Sequence, residues 1–164
     1  MHTRAAGFTW IELVVVLAVV GILGAMALPG LQDTALRRQV KEGLALADVA
    51  KAGVQQAWSL TGEMPADNAA AGVPPKDKIV GNVVKEVSVE AGAITLTYGN
   101  NASRALDGKH VTLRPAFVPG QPVVPLAWLC HEVPVPNGME RKGENRTDVG
   151  SAQLPVECRG VTTK

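Results

Sequence analysis

Residues 7–30, GFTWIELVVVLAVVGILGAMALPG, form an almost unbroken apolar run with one carboxylate, Glu12, near its start. The run extends from Phe8 to Leu31, about 24 residues. As a helix it covers roughly 36 Å, enough for a bilayer core of ~30 Å. A lone carboxylate at membrane depth costs ~2.5–3.5 kcal/mol on insertion scales, so Glu12 is a functional candidate. The preceding residues 1–6 hold one arginine, Arg4. They are too short for a secretory signal, whose charged, apolar and cleavage regions are contiguous and removed together. On these residues alone a plain signal anchor stays open.

The rest of the 164-residue chain is enough for one globular domain. A net charge of +1 argues against an electrostatic grip on nucleic acid, and 4% aromatic residues leave few platforms for stacking bases. Cys130 and Cys158 read as one disulfide in an exported chain and as two thiols in a cytosolic one.

The order of residues within the run narrows the reading. Gly7 is followed by Phe8, then by Glu12, by unbroken Leu, Val and Ala from Leu13 to Val20, and by Pro29. This pattern resembles the N-terminus of a type IV prepilin: a short basic leader ending in Gly, then Phe, with Glu fifth and Pro twenty-second in the mature chain. With cleavage after Gly7, all four positions match.

The resemblance implies a role for each residue. Gly7 would be read by a prepilin peptidase, which cuts before Phe8 and methylates the new amine. Glu12 would pair with that amine on a neighbouring subunit, a contact that sets axial register more than it adds net stability. The implied partners are copies of the chain itself, the peptidase and the inner-membrane assembly machinery, with no cofactor. The implied product is an extracellular pilus of a Gram-negative cell, serving adhesion, twitching motility or DNA uptake. Basic residues flanking the run, Arg4 against Arg37, Arg38 and Lys41, would by the positive-inside rule leave the C-terminal domain in the cytoplasm. The resemblance places it outside.

Beyond Pro29, Leu36, Val40, Leu44, Ala47, Val54 and Trp58 recur at helical spacings among charged residues. The pattern predicts one helix of about 53 residues from Phe8 to Leu60, too long for a small domain to bury, so its apolar half projects. Gly62 and Pro65 stop it. Residues 61–83 read as a surface loop. Val87 and Val89, then Ile94, Leu96 and Tyr98, then Val111 and Leu113 alternate with polar residues, with a tight turn at Ala91-Gly92. A further strand is expected between Val123 and Leu129, at an edge because of Pro125. The expected architecture is α+β: a leader (1–7), an apolar helix half (8–31) and a head (32–164). The head comprises an amphipathic helix half (32–60), an antiparallel sheet of about four strands (84–129) and a loop bounded by Cys130 and Cys158. That loop too resembles the disulfide-bounded loop of type IVa major pilins.

Gly21, Gly24, Pro29 and Gly30 weaken the helix, since glycine costs ~1 and proline ~3 kcal/mol relative to alanine. A bilayer enforces helix there; in a crowded fibre the segment is expected to unwind and lengthen. No catalytic constellation stands out: His2, His110 and His131 are isolated, and no H-x-x-E, C-x-x-C or G-x-S-x-G pattern occurs. The loop between the cysteines carries three basic residues, Arg141, Lys142 and Arg146, against five acidic ones. DNA is therefore a partner that charge does not support. The alternatives within reach are a minor pilin, a type II secretion pseudopilin and a DNA-receptor pilin.

Overall fold

Thr9 opens the first helix. Its hydroxyl and carbonyl oxygens accept from the Glu12 N–H at 3.3 and 3.1 Å, so one of the helix's orphan donors is met by an N-cap. In the computed structural model, residues 8–160 are described, apart from the side chains of residues 27–32. The chain divides into two units, one ending at Thr34 and one beginning at Ala35. Helix α1 runs Trp10–Leu46 and helix α2 runs Asp48–Thr61.

The expected single helix is therefore interrupted at Ala47, whose N–H bonds back to the Leu44 carbonyl at 3.2 Å, a three-residue step. The break follows a close contact from the sheet. Tyr98 donates its hydroxyl to the Val40 carbonyl at 2.8 Å, and its ring lies where a side chain at Gly43 would stand, 2.6 Å from the hydroxyl oxygen. A side chain that enters the i→i−4 hydrogen-bond ladder, as the Tyr98 hydroxyl does at the Val40 carbonyl, is one recognised source of helix distortion. α2 ends on Gly62, which takes φ +71° and returns its N–H to the Trp58 carbonyl at 2.8 Å.

Within the second unit the helical layer buries Leu36, Val40, Ala47, Ala50, Val54 and Trp58 against the sheet. The sheet is antiparallel: β1 (Val84–Glu90), β2 (Ala93–Tyr98), β3 (His110–Phe117) and β4 (Ala127–Cys130), in that order. A two-residue β5 (Glu140–Arg141) pairs with β3 beyond the end of β2. Ala91 and Gly92 both have positive φ, as a two-residue hairpin turn requires. The fourth strand is shorter than its expected range, starting at Ala127. Pro122, Val123 and Val124 are spent on a turn closed by the Val124 N–H on the Gln121 carbonyl at 3.1 Å. Residues 62–83 form turns with one short 3-10 segment, Lys76–Lys78. They come so close to α2 that a methyl on Gly53 would sit 2.5 Å from the Ala71 carbonyl oxygen.

The outer face of the sheet departs from the simple alternation. Thr95, Thr112 and Arg114, polar residues on a face expected to meet water, are buried. The segment after β4 crosses over them.

Candidate assembly surface and C-terminal loop

In the first unit every described residue from Phe8 to Met26 is exposed, on all sides of α1. Trp10 is 80% exposed and Ile11 71%. A helix that is apolar all round needs either lipid or other helices around it. Glu12 is the one charged residue of that stretch, and its carboxylate has no partner among the described residues. Thr9 and Glu12 also have the spacing of a capping box, a local signal for the start of α1. Added methyls on Gly21 and Gly24 would meet nothing within 4 Å, so both glycines lie on open helix surface. Helix α1 passes through Pro29 and Gly30 without a break in its assignment, while the side chains there lie outside the described residues. Gly7 does too. Among the described residues no helix is long and apolar enough to cross a membrane; the expected span, 8–31, ends among side chains outside the description.

Cys130 and Cys158 are bonded to each other, with Cα atoms 4.7 Å apart and both residues buried. The loop between them is tied across the outer face of the sheet. Lys142 donates its N–H to the Pro115 carbonyl at 3.1 Å, and the Thr112 N–H reaches the Thr147 hydroxyl at 2.9 Å. The Thr112 hydroxyl accepts from the Arg146 N–H at 3.1 Å and lies 3.2 Å from the Thr95 hydroxyl. The backbone N–H and hydroxyl of Thr112 are thus given partners, while the buried Arg114 Nε has none among the described residues. Arg114 donates to the His131 carbonyl, in a turn where His131 itself has φ +52°. On the far side, Arg37 of α1 donates to the Ala152 carbonyl at 3.0 Å.

His110 and Asp148 clasp the edge of this loop. The His110 N–H donates to Asp148 at 2.6 Å, and the Asp148 N–H returns a bond to the His110 carbonyl at 3.1 Å. Partial burial pushes the Asp148 carboxyl up, but the His110 N–H and ring, with Lys109 nearby, outweigh it and hold it below the usual range. A carboxyl depressed in the folded state stabilises above its ordinary pKa of ~3.9, and that contribution fades as pH falls through the folded value. Asp148→Asn should therefore flatten the loss of stability below about pH 4 while keeping the acceptor oxygen. Urea midpoints of both proteins between about pH 5 and pH 3 check this, and parallel acid limbs would contradict it.

The basic residues of the loop do not form a stripe. Arg146 is engaged by Glu90 at 2.7 Å and by Glu144 at 3.5 Å, leaving Arg141 and Lys142 beside Glu140. Of the two N-x-S/T sequences, Asn145 already donates to Glu132 at 2.7 Å and Asn101 to Asn82 at 2.9 Å. Among the described residues no cluster of His, Cys, Asp and Glu could hold a metal ion.

Comparison with known proteins places both units. The family described as pilin (bacterial filament) matches residues 37–159, and the prokaryotic N-terminal methylation motif matches residues 2–28. A type IV major pilin protein of Neisseria gonorrhoeae is 37% identical, the match covering 99% of this chain and 92% of the relative. A fimbrial protein of Neisseria meningitidis is 33% identical over 99% of both chains. A fimbrial protein of Eikenella corrodens is 33% identical over 96% of this chain and 92% of its own length.

Proposed function

The chain belongs to the pilin family of bacterial filament proteins, and from that premise we propose how its two units divide the work of a type IV pilus. It is a structural subunit, not an enzyme, and copies of it assemble into a pilus on the surface of a Gram-negative cell. The first unit is the polymer interface and the second carries the surface of the fibre. The observation that carries this reading is the exposure of every described residue from Phe8 to Met26 on an apolar helix within the methylation-motif match.

In the precursor, residues 8–31 anchor the chain in the inner membrane, and a prepilin peptidase cuts after Gly7 and methylates Phe8. The released helix then passes to the inner-membrane assembly machinery and packs among its copies. Glu12 faces the Phe8 amine of a neighbour, which offsets the cost of an apolar setting only in the correct register. Full-length similarity to major pilins favours a major subunit over a minor pilin or a secretion pseudopilin. Adhesion, twitching motility and DNA uptake are roles of the assembled fibre.

The test is genetic and direct. Filaments sheared from cells should contain this chain as their principal protein, and deletion of its gene should remove them. Filaments of normal number and composition on the deletion strain would overturn the assignment.

A further inference from the structure

Within the loop between the cysteines the chain reverses at residues 136–139, where the Met139 N–H donates to the Pro136 carbonyl at 3.1 Å. Asn137 and Gly138 form the exposed tip, and they are the one Asn-Gly pair in the chain. Gly138 takes φ +80°, as the third residue of a type II turn requires. A methyl on Gly138 would meet nothing within 4 Å, so the backbone there stands in open space. Neither the Asn137 side-chain amide nor the Gly138 N–H has a hydrogen-bond partner among the described residues. The other five asparagines are held. Asn68 donates to the Val87 carbonyl at 3.1 Å, Asn100 to the Val84 carbonyl at 2.9 Å and Asn145 to Glu132 at 2.7 Å. Asn101 donates to Asn82 at 2.9 Å, and Asn82 in turn to Glu42 at 3.3 Å. None of the five is followed by glycine. Asp107-Gly108, the one Asp-Gly pair, has its glycine N–H engaged by the Tyr98 carbonyl at 3.0 Å.

We propose that Asn137 is a modification site at which the folded chain converts itself to aspartate and isoaspartate, with water as the only co-reactant. The Gly138 nitrogen, once it has lost its proton, bonds to Cγ of Asn137. The bond from Cγ to Nδ2 breaks, and Nδ2 leaves as ammonia with the proton taken from Gly138. The product is a five-membered succinimide. Water then opens it at Cγ to give aspartate, or at the backbone carbonyl carbon to give isoaspartate, whose main chain runs through the side chain. Glycine favours the first step because no side chain crowds the attacking nitrogen. A type II turn holds that nitrogen away from Cγ, so attack requires rotation about the Asn137 Cα–C bond. The rotation gives up one backbone hydrogen bond at an exposed loop tip, the kind of place where local opening is easiest. Either product adds a negative charge to a loop that already sets five acidic residues against three basic ones. If the second unit forms the fibre surface, older subunits then carry one charge more than new ones. That consequence rests on the function proposed above, whereas the reaction itself does not.

The test incubates the full, folded chain in detergent and mildly alkaline water enriched in ¹⁸O, and follows the label by peptide mapping. Asn137 should take up ¹⁸O before any other asparagine and before Asp107, with both aspartate and isoaspartate at that position. Uptake should rise with hydroxide concentration, because the attacking nitrogen must lose its proton. Gly138→Ala should slow it severalfold, since the methyl crowds the nitrogen even though a left-handed alanine loosens the turn. A parallel sample, reduced and unfolded in urea, measures what the turn withholds: the folded rate at Asn137 should lie within an order of magnitude of the unfolded one. First uptake at another residue overturns the proposal. So does a faster reaction in Gly138→Ala, or a folded rate more than an order of magnitude below the unfolded one.

Discussion

Glu12→Ala should leave a chain that inserts, is cleaved and yet makes no fibres. The reason lies in two separate contacts at the same residue. The start of α1 depends on the Glu12 backbone N–H, which Thr9 caps, and alanine keeps that N–H. The side chain, by contrast, has no partner among the described residues and is exposed within an apolar stretch. The proposed pairing across subunits gives that side chain its partner. Packed among neighbours, the charged amine of Phe8 would lose its counter-charge, and removing one member of a buried pair costs about 3–5 kcal/mol. Repeated at every subunit, a penalty of that size, several hundredfold or more in each contact, stops polymer growth. Glu12→Gln should fail as well, since it keeps the shape and loses the charge. Electron microscopy of sheared material, beside immunoblots of the membrane fraction, checks both variants. Normal fibres from either would remove the pairing role.

The second large effect is expected in the head. Replacing Cys130 and Cys158 together by alanine opens a loop of sequence separation 28. In the chain-entropy account this costs about 3.5 kcal/mol, a large share of the 5–15 kcal/mol by which such domains are stable. The loss should be directional. The loop supplies the partners of Thr112 and covers Arg114 and Thr95, so the outer face of β2 and β3 should loosen before the face that meets α2. Urea midpoints measure the total, and amide exchange at Thr112 and Arg146 locates it. An unchanged midpoint would mean that the hydrogen bonds across the sheet hold the loop without the bridge.

Much of this architecture was legible in the residues. Hydropathy alone separates the two halves of the helical layer, because Glu12 stands alone in the first while charges recur on one side of the second. Five of the six apolar positions expected on the inner face, Leu36, Val40, Ala47, Val54 and Trp58, are buried, and Leu44 packs at the margin. Alternation located β1, β2 and β3, and the Ala91-Gly92 turn followed from residue type. What alternation could not convey is the second cover. Thr95, Thr112 and Arg114 read as solvent-facing because polar residues on a strand usually are. They are buried because a loop brings hydrogen-bond partners from 34 or 35 residues away in the case of Thr112. Asn68 was hidden in the same way: it sits in an Ala- and Gly-rich loop. Yet its amide donates to the Val87 carbonyl at 3.1 Å and accepts from the Val89 N–H at 2.7 Å, standing in for a strand at the open edge of β1. The contact of Tyr98 with the Val40 carbonyl has no local signal either, since the two residues lie 58 apart in the chain.

The assembly residues divide differently. Phe8 and Glu12 are recognisable by spacing because they lie in a contiguous N-terminal methylation motif, residues 2–28, with little dependence on the fold of the head.

The intact mass of the chain taken from sheared surface filaments bears most directly on the central claim that this is a processed pilus subunit. The mass should equal that of residues 8–164 with the Cys130–Cys158 bridge formed and one methyl group on Phe8. A filament protein that still carries Met1 to Gly7 would contradict it and return the apolar run to the status of an ordinary membrane anchor.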